Sequence, residues 1–264
     1  MSKYLVVFQT RIKNLLEYRV NILLKLVRPL IMTAAFGALW IVLFQLNEGR
    51  ELGGFTQSSF IIYLLIIRFI AVFSPGASSI GEMNEEISSG NFTMRLVRPV
   101  HYLWWLFFRN LPIPLFSGIV GLTAVTLLAW IFDAALPRGP YALLFVLSVV
   151  ATIGIQYAFY QGIGILSFWI YEISSIERFW KMTSQMLSGE MIPLSLFPVA
   201  LQSVLYYSPF AALAFVPGGI YIGLFDLEQA VRMVVVQYVW AVSLWTLVLW
   251  IYRRGLQKFE AQGG

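Results

Sequence analysis

Cysteine is missing from all 264 residues, and histidine occurs once, at His101. Without a thiol there is no disulfide framework, no thiolate nucleophile and no cysteine-held metal. A lone imidazole leaves a zinc cluster, a metalloprotease centre or a Ser-His-Asp triad short of its parts. Charge is scarce as well: Asp, Glu, Lys and Arg make up 12% of the chain, against about 25% in soluble domains. No Gly-x-x-x-x-Gly-Lys-Ser/Thr run occurs, so ATP binding through a phosphate loop of this chain is excluded. Neither a catalytic site nor a resident metal or cofactor is expected. The first 28 residues are interrupted by Lys3, Arg11, Lys13, Glu17, Arg19, Lys25 and Arg28, which argues against a cleavable signal peptide.

What fills the chain instead is apolar: 59% hydrophobic residues and a mean hydropathy of +0.77. These values define an integral membrane protein, expected to be all-α and built as one transmembrane domain over residues 1–264. Residues 3–28 read as an amphipathic helix lying in the headgroup region, with Thr10, Asn14, Glu17, Asn21, Lys25 and Arg28 on the polar side. Apolar spans follow at 29–46, 59–80, 104–132 and 141–171, with a charged connection over 172–181. A fifth span at 182–196 needs residues borrowed from that connection, and a sixth covers 234–252. A crossing takes about 20 apolar residues. Between the last two spans, residues 188–222 are apolar but cut by Gly189, Pro193, Pro198, Pro209, Pro217, Gly218 and Gly219. No unbroken helix survives those residues, so two short half-helices in the outer leaflet are expected there.

The net charge of +5 is no nucleic-acid footprint; its placement carries the information. With both termini inside, fourteen Lys and Arg fall on the cytoplasmic side, and three (Arg50, Arg138, Arg232) fall outside. The positive-inside rule then fixes the orientation.

Residues 81–109 form the longest polar interruption. Glu82, Glu85 and Glu86 share one face of a helix near its start, Gly90 stops it, and Pro99 holds Arg98 extended before Trp104 and Trp105. The segment reads as a short, structured cytoplasmic loop with a docking partner. Arg68 is the one charge well inside a span, and an arginine there costs about 2.5–3.5 kcal/mol to insert. No mid-membrane acid is evident for it, because Glu190, the most buried acid, belongs to the broken outer segment. Bonds to carbonyls or snorkelling are therefore expected for Arg68, with contact to an anionic substrate or lipid as the functional reading. His101 is expected to be structural rather than a pH sensor. Acids at mid-membrane, which ion-coupled carriers use, are otherwise missing, so the driving energy must come from elsewhere.

Three stretches then resemble one family. They are Leu16, Glu17, Tyr18 and Arg19; Ile87 to Gly90 followed by Leu96 to Pro99; and Ser188-Gly189, Ile192 to Leu194, Phe197-Pro198, Ser208 to Phe210 and Pro217. In order and spacing they resemble the membrane subunit of a small bacterial ABC-2 type exporter. The resemblance implies six transmembrane helices, an N-terminal interfacial helix, and short broken outer-leaflet helices between spans five and six. It implies location in the bacterial inner membrane, two cytosolic ATPase subunits that hold ATP and magnesium, and a second permease, identical or a sister chain. A coupling loop at 82–103 would seat Glu82, Glu85, Glu86 and Ile87 on the ATPase, with Arg11, Lys13 and Glu17 at the same border. Arg68, Glu190, Pro193 and Pro198 would lie along the path or its gate. The alternative is a multi-span channel or secondary carrier that works without an ATPase.

Overall fold

A computed structural model describes residues 2–17, 19–48, 50–72, 77–112 and 137–263, with isolated positions at Leu115, Gly118, Thr123 and Thr126. Among these residues the protein is all-helical, apart from one isolated β-bridge between Leu52 and Phe55. The helices are α1 (Ser2–Glu17), α2 (Arg19–Leu46), α3 (Gln57–Val72), α4 (Ala77–Ser88), α5 (Phe92–Leu96) and α6 (Tyr102–Asn110). They continue with α7 (Pro140–Ile165), α8 (Ser174–Leu187), α9 (Val199–Leu205), α10 (Phe215–Ile222) and α11 (Leu227–Gly263). Two stretches, Pro140–Phe168 and Leu227–Phe259, are long and apolar enough to cross a membrane; shorter apolar helices lie at Ala34–Leu46 and Gln57–Ala71.

Several boundaries differ from the sequence expectation. α2 runs through Pro29, where the first span was expected to start. Proline favours a helix start, but residues 19–28 are rich in helix-forming Leu, Lys and Arg and carry the helix across it. Of the second apolar run, the described residues form α3 up to Val72 and α4 from Ala77. Most of the third expected span lies outside the described residues. In the fifth, the charged connection is itself helical: α8 begins at Ser174 and stops at Leu187. Its 14 residues reach about 21 Å at 1.5 Å each, short of a hydrocarbon core about 30 Å thick. The charges mislead because Glu177, Arg178 and Lys181 suit a helix whose residues stay out of the core.

Two cores sit at opposite ends of α7. The larger packs Trp40 and Phe44 of α2, Phe60, Tyr63 and Ile67 of α3, Phe145 and Ile153 of α7, and Phe215 and Ile220 of α10. Its centre is an aromatic cluster, with Phe55 5.4 Å from Phe60 and 5.1 Å from Tyr63, and Tyr63 6.4 Å from Phe215. The second core joins Met83 and Ile87 of α4, Phe92 of α5, Leu103 and Leu106 of α6, Ile165 of α7, and Val248 and Tyr252 of α11. Because α7 and α11 contribute to both ends, they form the frame on which the shorter helices hang.

The segment 188–222 is broken where its prolines fall. Pro193 precedes a 3-10 turn at Leu194–Leu196, Pro198 caps α9, and a second 3-10 turn at Ala211–Leu213 leads into α10. Irregular backbone in apolar surroundings needs a donor for each carbonyl. Tyr63 donates its hydroxyl to Gly189 O at 2.8 Å, and Gln202 Nε2 donates to Ser195 O and Phe197 O at 2.9 and 2.7 Å. Trp240 Nε1 donates to Tyr207 O at 2.7 Å. Ala212 O accepts from Gln237 Nε2 at 3.0 Å and lies 2.7 Å from Thr152 Oγ1. Thr152 and Gln237 are fully buried. Gln237→Leu should therefore leave the Ala212 carbonyl with the Thr152 hydroxyl alone and cost about 1 kcal/mol or more. A lowered thermal midpoint of the detergent-purified variant is the expected readout, and Gln237→Glu, whose carboxylate has no N–H to donate, should not restore it.

Candidate functional site

The corner formed by α4, α5 and α6 gathers most of the residues singled out in the sequence. Gly90, at φ +75°, adopts the left-handed conformation that ends α4 and lets α5 fold back. Helical spacing then divides the α4 acids between two jobs. Glu86 is half-buried and accepts from Arg95 Nη2 at 2.5 Å, from Arg95 Nε at 3.0 Å and from the Tyr102 hydroxyl at 2.7 Å. Glu82 pairs with Arg109 at 3.1 Å. Both arginines also lie over the Trp105 ring, 4.3 and 4.9 Å from its centroid, so the indole is flanked by two cations. Met83 and Ile87 point into the second core. Glu85, by contrast, is exposed and makes no ion pair among the described residues. The surface left free at this corner is Glu85, Ser88, Ser89 and the tip Met94, Val97 and Arg98.

Helix α1 packs on α6 through Tyr4, Val7, Phe8 and Arg11, which recur at helical spacing and are the half-buried residues of its described turns. Tyr4 lies 5.3 Å from Phe108, and its hydroxyl accepts from the His101 backbone N–H at 3.1 Å. Arg11 is thus drawn to the α6 side, Lys13 stays exposed, and the Glu17 side chain lies outside the described residues. The His101 ring rests 5.4 Å from Tyr252. Burial, reinforced by the nearby Arg253 charge, holds its pKa below the ordinary 6.5.

The second site corrects the sequence reading of Arg68. Its guanidinium does have an acidic partner: Arg68 Nη1 donates to Glu190 Oε1 at 2.6 Å, with the side chains 22% and 11% exposed. The partners are 122 residues apart, and the sequence alone sets Glu190 in a separate outer segment. Gly189, at φ +84°, reverses the chain after α8 and brings Glu190 against α3. A Cβ at Gly189 would sit 2.9 Å from the Tyr63 hydroxyl and 3.2 Å from Phe215 Cβ, so only glycine fits. Tyr63, Gln185, Thr152 and Gln237 also belong to this region, and polar residues spaced along apolar spans are their only trace in the sequence. Pro193 and Pro198 lie further along, flanking the turn at Leu194–Leu196, and the Arg68–Glu190 pair does not include them. Among the described residues no group of His, Cys, Asp and Glu is arranged to hold a metal.

A family model described as ABC-2 family transporter protein matches residues 30–263. The chain belongs to that family, and as such is a membrane permease subunit of an ABC transporter. The match takes in every described helix except α1 and the first part of α2. Comparison with curated proteins gives no match.

Two outcomes are expected from this geometry. Arg68→Glu alone should leave like charges facing each other and cost about 3 kcal/mol or more. The exchange Arg68→Glu with Glu190→Arg should recover part of that loss in detergent thermal unfolding. For His101, a depressed pKa means the folded chain binds fewer protons than the unfolded chain in the interval below 6.5. Stability should therefore fall as pH drops from about 6.5 toward the folded-state value, and His101→Gln should flatten that part of the pH–stability curve.

Proposed function

We propose that this chain forms half of the translocation path of an ATP-driven exporter in the bacterial inner membrane. Two cytosolic ATPase subunits would supply the energy from ATP and magnesium, and a second permease, identical or a sister chain, would complete the path. In this reading the chain crosses six times with both termini cytoplasmic, the short α8 completing the fifth crossing only together with the residues that follow it; α1 lies at the inner interface, and the rest of segment 188–222 closes the outer side. No enzymatic step falls to this chain itself.

The braced corner of α4, α5 and α6 is the observation that carries the reading. A loop that only connects two spans has no need of two ion pairs, a Trp flanked by arginines and a buried Phe92. A part that transmits displacement must be stiff, and those contacts stiffen this one. Glu82, Glu86 and Ile87 serve inside the corner, while Glu85 and the Met94–Val97 tip face outward to meet the ATPase. Arg11, Lys13 and Glu17 would lie along the same border through the packing of α1 on α6. Motion of the corner would pass through the second core to α7 and α11, and from them to the segment that carries Glu190, Pro193 and Pro198. The Arg68–Glu190 pair would then hold that segment closed until α3 moves.

One observation favours a different reading, a carrier driven by an ion gradient. Glu190 is a buried carboxylate paired with an arginine inside an apolar helix bundle, and proton-coupled carriers use such groups. Transport that follows the proton gradient and ignores ATP would select it.

The test is to purify the chain from its native membrane with its subunits and measure ATP hydrolysis. Glu85→Arg should reduce hydrolysis by the complex several-fold, on the scale of a like-charge clash at an interface, while membrane insertion stays normal. Co-purification of the chain without any ATPase would overturn the exporter reading.

A further inference from the structure

A cavity of about 240 Å³ lies between α3, α7, α8 and the start of the broken segment. Its lining mixes two chemistries: Gln156, Lys181, Gln185 and Glu190 are polar, and Phe159 and Trp180 are aromatic. Phe159, Trp180 and Phe210 make a continuous ring wall, with centroids 4.2, 5.5 and 6.1 Å apart. The outer wall is α8, none of whose residues is buried, so the cavity is separated from the surroundings by a single helix.

Charge decides what such a space accepts. Glu190 is already engaged, by Arg68 at 2.6 Å and by the Gln185 side chain. Glu177, one turn before Lys181, has both Lys181 and Arg178 beside it. Of the two charged residues that line the space, Lys181 and Glu190, the acid is held by Arg68, whereas Lys181 makes no ion pair within 4 Å among the described residues. A cationic guest would have to displace Arg68 from Glu190 to find an acid. An anionic group completes the set. Gln156 adds a second requirement: its side chain is buried at the wall, and its amide oxygen has no hydrogen-bond partner. A buried acceptor left unmet is costly, and a guest with a hydroxyl or amide N–H next to its anionic group would supply the donor.

We propose that this cavity binds the head of a monoanionic amphiphile that carries a hydroxyl or amide donor, with Lys181 facing the anion, Gln156 accepting from the donor, and the apolar part lying along Phe159 and Trp180. The proposal rests on the permease reading only for its biological meaning. The same chemistry is offered by a resident bilayer lipid and by a transported amphiphile. Pro193, Pro198 and the coupling corner take no part in it.

The experiment uses the chain purified with its subunits in phosphatidylcholine nanodiscs, without nucleotide, so that a failure of ATPase coupling leaves the result untouched. Lysophosphatidylglycerol, an anion with neighbouring hydroxyls, is titrated against zwitterionic lysophosphatidylcholine, and bound amphiphile is read by native mass spectrometry. Wild type should prefer the anion, and Lys181→Gln should weaken its binding about tenfold, the equivalent of one charge-assisted hydrogen bond. Gln156→Leu should weaken lysophosphatidylglycerol but leave dodecyl methyl phosphate, a monoanion with no hydroxyl, unchanged. Lys181 is exposed, so its variant tests the site without unsettling the core. Equal binding of both lysolipids by wild type, or an unchanged preference in Lys181→Gln, overturns the proposal. An anionic phospholipid that co-purifies from the native membrane and is lost in Lys181→Gln assigns the site to a resident lipid. Binding of added amphiphile to a site that carries none on purification assigns it to cargo.

Discussion

Everything between α8 and α11 depends on finding hydrogen-bond donors for backbone carbonyls that no helix satisfies. A chain interrupted by Pro193, Pro198, Pro209 and Pro217 cannot close its own ladder, and apolar surroundings supply no water to replace it. Side chains from elsewhere therefore reach in: Tyr63 from α3, Thr152 from α7, and Gln237 and Trp240 from α11. Each bond fixes a point of the broken segment relative to a long helix. The Arg68–Glu190 pair acts at the same place and is meaningful only because those carbonyl bonds hold Glu190 against α3. A segment that looks irregular in sequence is thereby located as firmly as a helix.

The other end of the molecule solves a different problem. There the backbone is regular, and the task is to stiffen a reversal of the chain. Glu86 and Glu82 draw Arg95 and Arg109 onto the ring of Trp105, which packs against the core that buries Phe92. Exposed ion pairs add little, but these side chains are roughly three-quarters or more covered and share one aromatic platform, so their contributions reinforce one another. α7 and α11, which enter both cores, connect this corner to the carbonyl-bonded segment. The protein has two differently built ends and a common frame.

The residues that punctuate the chain are readable without coordinates. Gly90 ends α4, the acids of 82–86 share a helix, and Pro193 and Pro198 break the backbone where they occur. These are local effects, set by φ or by a missing N–H. What escapes the sequence is non-local or masked by composition. Glu190 meets Arg68 across 122 residues, which no periodicity announces. The charges of α8 suggest a connection because they interrupt hydropathy without interrupting a helix. Pro29 suggests a start because proline is commonest there, yet the flanking residues carry α2 through it. At the candidate site, the acids are legible as a group, but not their separation into two that bind inward and one that faces out. That separation follows from which neighbour each acid meets after Gly90 turns the chain.

The direction of the carbonyl bonds also sets an order of construction. Gln237 lies 25 residues beyond Ala212, and Trp240 lies 33 residues beyond Tyr207. During synthesis the broken segment emerges before either donor exists, so the Tyr207 carbonyl gains Trp240, and the Ala212 carbonyl gains Gln237, only once α11 has been made. The last helix is thus the one that completes the segment before it.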